Sequence, residues 1–314
     1  APSLGGAAFI EVTQDGKWAL VANYGSGVLA VLPLKADGSI GPASDSKQPW
    51  PLGGLDPSLE DRQESCHPHQ ILLAPTAMVE GKPTTQYVLA CDLGADKVWV
   101  YEFDATRGAL IGAINSERHF ALPKGYGPRH LAFTEDGVTV FVLCELSGTV
   151  EKCFWNPFSG MLERGMHGQS VSVMPEGLEC CRAHHSGCGH IAVAGNAAAS
   201  DTVQGTHGCK IYVTSRTDNM IVVLSPTVED KNDPVGQWCA TDKLSVIQRV
   251  STLGVCPRIF LIDEKRDTLT VTNQDTQNAV EYKMGSDGLL EEASARVCEI
   301  VGVCPWAMCV APSN

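Results

Sequence analysis

YVLACDLGADKVWVYEF, residues 87–103, is a run of apolar residues, a short polar turn and a second, alternating run. Period-two patterning interrupted by Gly and Asp is the signature of two antiparallel strands joined by a tight turn. The same pattern is written four more times: WALVANYGSGVLAVLPL from Trp18, VFVLCELSGTVEKCFW from Val140, IYVTSRTDNMIVVLSP from Ile211 and LTVTNQDTQNAVEYKM from Leu269. The copies recur about every sixty residues, slightly above the usual 20–50-residue range of repeat architectures. No helical periodicity separates them.

Outward from each copy lie two further strands. A short apolar run precedes it: FIEVT from Phe9, QILLA from Gln70, HLAFT from His130, HIAVA from His190 and IFLID from Ile259. Three of these lead into acidic turns (QDGK, EDGV and EKRD), where a residue tolerant of positive φ is wanted. A Gly-containing turn and an outermost strand follow the central pair, as in KADGSIG and DATRGALIG. Four antiparallel strands per repeat make one propeller blade, so the fold class is all-β, a β-propeller. Because a blade buries its apolar faces only against neighbours, residues 1–314 are read as one domain.

Two insertions break the regularity. One runs from Gln48 to Cys66; the other runs from Glu179 to Cys209 and carries CCRAHHSGCGH. Loops of this length in a compact domain are usually functional or mobile. The chain closes on CPWAMCVAP, which reads as an innermost strand around Trp306 with no blade after it. The expectation is that blades ahead of Ala1 are absent from this chain, and that a second chain or a gap takes their place.

Composition narrows the function. Apolar residues make up 44% and charged residues 19%, and the net charge is −13. An acidic surface without a basic run argues against nucleic acid as a partner. No stretch reaches the roughly 18–20 apolar residues that span a bilayer, and the first residues form no signal peptide. The thirteen cysteines are odd in number and scattered, several within strands. That pattern predicts reduced thiols and a cytoplasmic setting.

Aligning the repeats exposes two sets of positions. At the start of each innermost strand stand Ala8, His69, Arg129, Gly189 and Arg258, with Trp306 in the closing strand, and Gln70, His130 and His190 follow directly. At the end of the second strand the alignment places Asn23, Asp92, Glu145, Ser215 and Asn273. In a propeller both sets face the mouth of the axial channel. Arg129, Arg216 and Arg258 in so acidic a chain point to an anionic ligand, since guanidinium matches carboxylate or phosphate. The alternative is structural pairing of these arginines with Asp92 and Glu145. Glu145 and His69 are the candidate proton movers for activating a water, with an arginine stabilising an oxyanion.

Cys180, Cys181, His184, His185, Cys188 and His190 fit no standard zinc spacing. Asn23, Asp92, Glu145 and Asn273 offer oxygen ligands that could suit calcium. The preferred reading has neither metal nor cofactor. No nucleotide-binding glycine loop, Gly-x-Ser-x-Gly elbow or HExxH is present.

VANYGSGVLAVLPLKADGSIG, HPHQILL, CDLGADKVWVYEFD, GYGPRHLAFTEDG, CELSGTV, YVTSRTDNMIVV, CPRIFLID and VTNQDTQNAVEY together resemble the seven-bladed β-propeller lactonases. That family includes 6-phosphogluconolactonases and carboxy-cis,cis-muconate cyclases. The resemblance implies a cofactor-free hydrolase of a sugar-acid lactone. Its alternatives are a carboxy-muconate lactonising enzyme and a non-catalytic scaffold. It favours function for His69, Arg129, Glu145 and Arg216. Together with the aligned repeats, this gives catalysis to Glu145, His69 and Arg129, and substrate binding to Arg216, Arg258, His130, Asp92 and Asn273. The substrate would be a small anionic lactone or carboxylate. His190 and Ser215 depart from the family pattern, where an acidic residue and Asn stand.

Overall fold

The structure, a computed structural model, describes residues 5–48, 59–112, 118–164, 170–183, 186–195, 209–227 and 243–300. Trp306 and its strand lie outside them, as do His184, His185 and parts of both insertions. Within the described residues the five repeats form five antiparallel sheets. The first holds β1 (Ala7–Val12), β2 (Trp18–Asn23), β3 (Val28–Pro33) and β4 (Asp45–Lys47), in that order. A short helix, α1 (Glu60–Gln63), precedes the second sheet.

The second sheet contains β5 (Pro68–Leu73), then, beyond the small hairpin of β6 (Met78–Val79) and β7 (Lys82–Pro83), β8 (Tyr87–Asp92), β9 (Lys97–Asp104), β10 (Ala109–Ile111) and β11 (His119–Ala121). The third contains β12 (Pro128–Phe133), β13 (Thr139–Cys144), β14 (Thr149–Asn156), β15 (Met161–Arg164) and β16 (Ser170–Ser172). β17 (Cys188–Ala194), β18 (Lys210–Ser215), β19 (Met220–Thr227) and β20 (Lys243–Ser251) form the fourth. β21 (Pro257–Asp263), β22 (Thr268–Asn273), β23 (Asn278–Met284) and β24 (Leu290–Glu299) form the fifth.

The sequence predicts one outermost strand per blade, and two sheets differ. In the second, β10 pairs with Glu102–Asp104 and β11 with Lys97–Trp99, so the outer strand is laid down in two pieces on β9. In the third, β15 and β16 divide β14 in the same way. An edge strand needs pairing on one side only, so it can be interrupted without breaking the ladders inside it.

Burial explains the composition of the second strands. β8 and β13 are buried at every residue, so they read as near-continuous apolar runs rather than strict alternation. Each central pair is joined by four residues whose last adopts positive φ: Gly27, Asp96, Gly148, Asn219 and Gln277. The acidic turns work through side chains as well. Thr13 Oγ1 and Lys17 N both donate to Asp15 Oδ1, at 2.7 and 3.1 Å. In EKRD the positive φ falls on Asp267 rather than on a glycine.

The chain divides into two compact units. One is Ala1–Leu131 with Gly137–Cys144 and Cys153–Arg164; the other is Ala132–Asp136 and Glu145–Lys152 with Gly165–Asn314. The first has a core of Leu20, Leu29, Val31, Ile71, Val88, Trp99, Tyr101 and Phe103. The second is built on Tyr212, Ile221, Val223, Phe260, Leu269, Val271 and Tyr282. Each such side chain, fully buried, contributes roughly 1.5–3 kcal/mol relative to exposure. Within the first unit neighbouring sheets are keyed by aromatics. The Trp18 indole donates to Ala105 O at 2.9 Å. A Cβ at Gly108 would meet that ring at 2.2 Å, so only glycine fits.

Candidate active site

The positions singled out at the start of the inner strands coincide with irregularities in the ladder. Ala7 pairs with Asn23 but Phe9 with Ala22, which leaves Ala8 as the extra residue. His69 is extra between Pro68 and Gln70, and Arg258 between Pro257 and Ile259. In the fourth sheet Gly189 and His190 share the gap between Cys188 and Ile191. A β-bulge of this kind turns its residue out of the pleat and aims it away from the sheet's regular faces. The same local device therefore presents a different side chain in four of the sheets: Ala, His, Gly-His or Arg.

In the first unit these side chains meet. His69 Nδ1 lies 3.2 Å from His130 Nε2, with the rings edge to face at 5.0 Å. Arg129 Nη1 lies 3.3 Å from His130 Nε2 and 3.5 Å from Nδ1, so it serves as donor to the ring. Of the two facing imidazole nitrogens one must carry the proton and the other a lone pair. All three side chains are buried: His69 is 5% exposed, His130 4% and Arg129 2%. Tyr24 packs on His69 at 5.5 Å and stacks on His67 at 4.5 Å, and Phe9 closes the other side of His130 at 5.6 Å.

Residues that sequence reasoning passed over hold this cluster in place. Asp96 accepts the amides of Gly125 and Gly127 at 2.8 and 2.7 Å, pinning the turn that leads into Arg129. Gln63, on α1, donates to Asp96 Oδ1 at 2.9 Å and to Leu93 O at 2.8 Å. Burial raises the Asp96 pKa, and the amide hydrogen bonds oppose that rise. Gln70 Oε1 accepts from Leu131 N at 2.6 Å, tying β5 to β12 beside the histidines. In sequence Asp96 is one more turn residue, and only its positive φ of 52° follows from that.

The second unit holds the other pair. Arg216 Nη2 stands 2.9 Å from Glu145 Oε1, and both side chains are almost wholly buried. The guanidinium also donates to the carbonyls of Ser186, Gly187 and Cys188 at 3.0, 3.3 and 3.0 Å. Strand bounds place Glu145 differently from the sequence alignment. β13 ends at Cys144, so Glu145 is the first residue of its turn, the position held by Tyr24, Leu93, Arg216 and Gln274 in the other blades. The similarity of CDLG to CELS conceals that one-residue offset.

Other predicted positions have internal partners. Asp92 accepts from His67 N (2.7 Å), Ala95 N (3.1 Å) and the Trp99 indole (3.0 Å), contacts that organise its own turn. Asn273 donates to Thr252 O and Asn278 Oδ1 at 2.8 and 3.0 Å, while its own carbonyl oxygen is buried with no hydrogen-bond partner. Asn23 donates to Val28 O at 3.0 Å. Arg258, half-buried, donates to Gln274 Oε1 at 3.1 Å. Thus Arg129 lies in one unit, and Arg216 and Arg258 lie in the other. Among the described residues no group of three or more His, Cys, Asp or Glu is placed to hold a metal ion.

Sheets of this construction, with bulge-borne His and Arg at the inner strands, define a propeller-type scaffold. The family model described as Lactonase, 7-bladed beta-propeller matches residues 3–310, and the chain belongs to that family. It is 28% identical over 275 residues to the 6-phosphogluconolactonase of Bacillus subtilis, covering 87% of this chain and 65% of that protein. The chain likewise spans 65% of two Lactococcus lactis relatives. Among solved structures it is similar to a protein from Lactobacillus plantarum, with 26% identity and a TM-score of 0.69 over 95% of this chain and 73% of the other. It is also similar to the periplasmic gluconolactonase of Pseudomonas aeruginosa, with 26% identity and a TM-score of 0.68 over 93% and 69%. No described helix is long and apolar enough to cross a membrane.

Proposed function

We propose that the chain serves hydrolysis of a sugar-acid lactone, without a cofactor, and that the His69–His130–Arg129 cluster is its chemical centre. The observation that carries this reading is the contact of the three side chains. An imidazole with a lone pair removes a proton from water, which attacks the lactone carbonyl. A second imidazole 3.2 Å away relays that proton. Arg129, with its fixed donors, stabilises the oxyanion that forms. The tetrahedral intermediate then expels the ring oxygen, which takes up the proton, and a hydroxy acid leaves.

In this reading His69 is the base in preference to Glu145, whose carboxylate is committed to Arg216. Relatives bearing the names 6-phosphogluconolactonase and gluconolactonase support a sugar-acid lactone with or without phosphate. The ten described cysteines, all unlinked, agree with a cytoplasmic setting, although a relative described as periplasmic points elsewhere.

The test is hydrolysis of 6-phosphoglucono-δ-lactone and of glucono-δ-lactone, followed as acid release above the spontaneous rate. Acceleration abolished by Arg129→Ala supports the assignment. Acceleration that survives His69→Ala and Arg129→Ala together overturns the proposed centre. No acceleration with either lactone, but turnover of a carboxy-muconolactone, moves the substrate to the muconate class. No acceleration with any of them leaves a scaffold.

A further inference from the structure

The first part of the second insertion brings two cysteines together. Cys180 Sγ donates to the carbonyl oxygen of Glu145 at 3.3 Å, and the same oxygen accepts the amide of Cys188 at 3.3 Å. The two cysteines thus converge on one carbonyl oxygen, and each thiol shifts the other's pKa. Thr217 supports the arrangement, its hydroxyl lying 3.8 Å from Cys180 Sγ and 3.1 Å from the Cys181 amide. Gly148 makes the space, because a Cβ there would stand 2.9 Å from Cys180 Sγ. Gly187 makes it on the other side, at φ +88° and against Glu145 O.

The thiols differ in environment. Cys180 is half-buried and reachable, whereas Cys188 is fully buried. The neighbouring Cys188 thiol, helped by Thr217 and Arg216, lowers the Cys180 pKa, although partial burial and Glu145 oppose it. The neighbouring Cys180 thiol and full burial push Cys188 up. Cys66 and Cys91, by contrast, are raised, chiefly by burial. Thiolate character, access and a second sulfur within reach are what a redox-reactive cysteine needs.

We propose that Cys180 and Cys188 form a peroxide-sensitive dithiol, in which Cys180 attacks and Cys188 resolves. The oxidant is a hydroperoxide. The Cys180 thiolate attacks the terminal oxygen; an S–O bond forms, the O–O bond breaks, and the leaving oxygen takes a proton as water or alcohol. Cys180 is now a sulfenic acid. The sulfur of Cys188 then attacks the Cys180 sulfur; the S–S bond forms, the S–O bond breaks, and hydroxide leaves with the Cys188 proton as water. Two thiols are oxidised to one disulfide and one peroxide is reduced. The proposal goes beyond the lactone reading and does not depend on it.

Arg182 lies between the two cysteines, so trypsin separates them unless they are bonded. The folded protein is treated with stoichiometric hydrogen peroxide, blocked with iodoacetamide and digested without reductant. The expected product is a reducible cross-link between the peptide ending at Arg182 and the peptide beginning at Ala183. It persists in Cys181→Ser and is lost in Cys180→Ser. In Cys188→Ser, Cys180 is instead trapped as sulfenic acid by dimedone. In the untreated protein at neutral pH, Cys180 alkylates at least about tenfold faster than Cys91. A cross-link that needs Cys181 rather than Cys180, or no cross-link while Cys180 oxidises to sulfinic acid, overturns the proposal.

Discussion

Arg216 Nη2 lies 2.9 Å from Glu145 Oε1, with both side chains withdrawn from solvent, and the guanidinium also receives three backbone carbonyls. The pair latches residues 186–188 onto two turns of the second unit. This changes what each residue is expected to do. Sequence alone points to the arginine as a substrate clamp and the glutamate as a base; the ion pair adds a structural role for both. Removing one partner of a buried pair strands a charge, at a cost of about 3–5 kcal/mol.

Arg216→Ala is therefore expected to lower stability by about 3–5 kcal/mol in urea unfolding, and Glu145→Gln by a similar amount. The double variant Glu145→Gln/Arg216→Met should recover most of that loss, because no uncompensated charge remains. Full additivity of the single effects would show that the two side chains act separately. If Glu145→Gln keeps its unfolding midpoint but loses turnover, the carboxylate is the base after all.

The His69–His130 contact leads to a second expectation. His69→Asn should reduce turnover of the responsive lactone by about 10²- to 10⁴-fold, with a smaller change in KM, since it removes the proton acceptor. Arg129→Lys should restore little, because a point charge replaces a planar donor fork at a fully buried site. Steady-state kinetics beside far-UV spectra of the folded variants decide both.

Asp96 should matter although it touches none of the three. Asp96→Asn offers one acceptor oxygen where two now take the amides of Gly125 and Gly127. It turns an N–H toward one of them. An unsatisfied buried donor costs about 1–3 kcal/mol. A lower unfolding temperature is expected, together with loss of activity from a displaced Arg129.

Gly137→Ala tests the turn chemistry alone. Gly137 sits at φ +69°, and a Cβ would approach Pro75 Cβ to 2.7 Å. Strained φ and contact together should destabilise by about 1–3 kcal/mol. Gly38→Ala, at φ +81° with open space around it, should lose only the conformational part, on the order of 1 kcal/mol. Equal midpoints for the two variants would show that the Pro75 contact yields.

Strand positions were legible because they depend on local pattern. YVLACD and TVFVLC are wholly buried and read as apolar runs, and the turns after them carry Gly, Asp or Asn where positive φ is required. The inner strands were found within two residues of Phe9, Gln70, His130, His190 and Ile259. The split outer strands on β9 and β14 were not legible, since short edge segments carry too few residues to show a period. The place of Glu145 was misread by one residue, because CDLG and CELS look alike while their turns start differently.

The sequence by itself determined an all-β repeat, its blade positions and its strand boundaries to within a residue or two, since alternation and turn chemistry act over a few residues. Tertiary structure alone decided who meets whom. His69 and His130 are 61 residues apart and Glu145 and Arg216 are 71 apart, and no local preference specifies such contacts. They arise when bulges and turns of neighbouring sheets are packed together, and burial then makes a charge or an imidazole depend on protein groups rather than water for its hydrogen bonds.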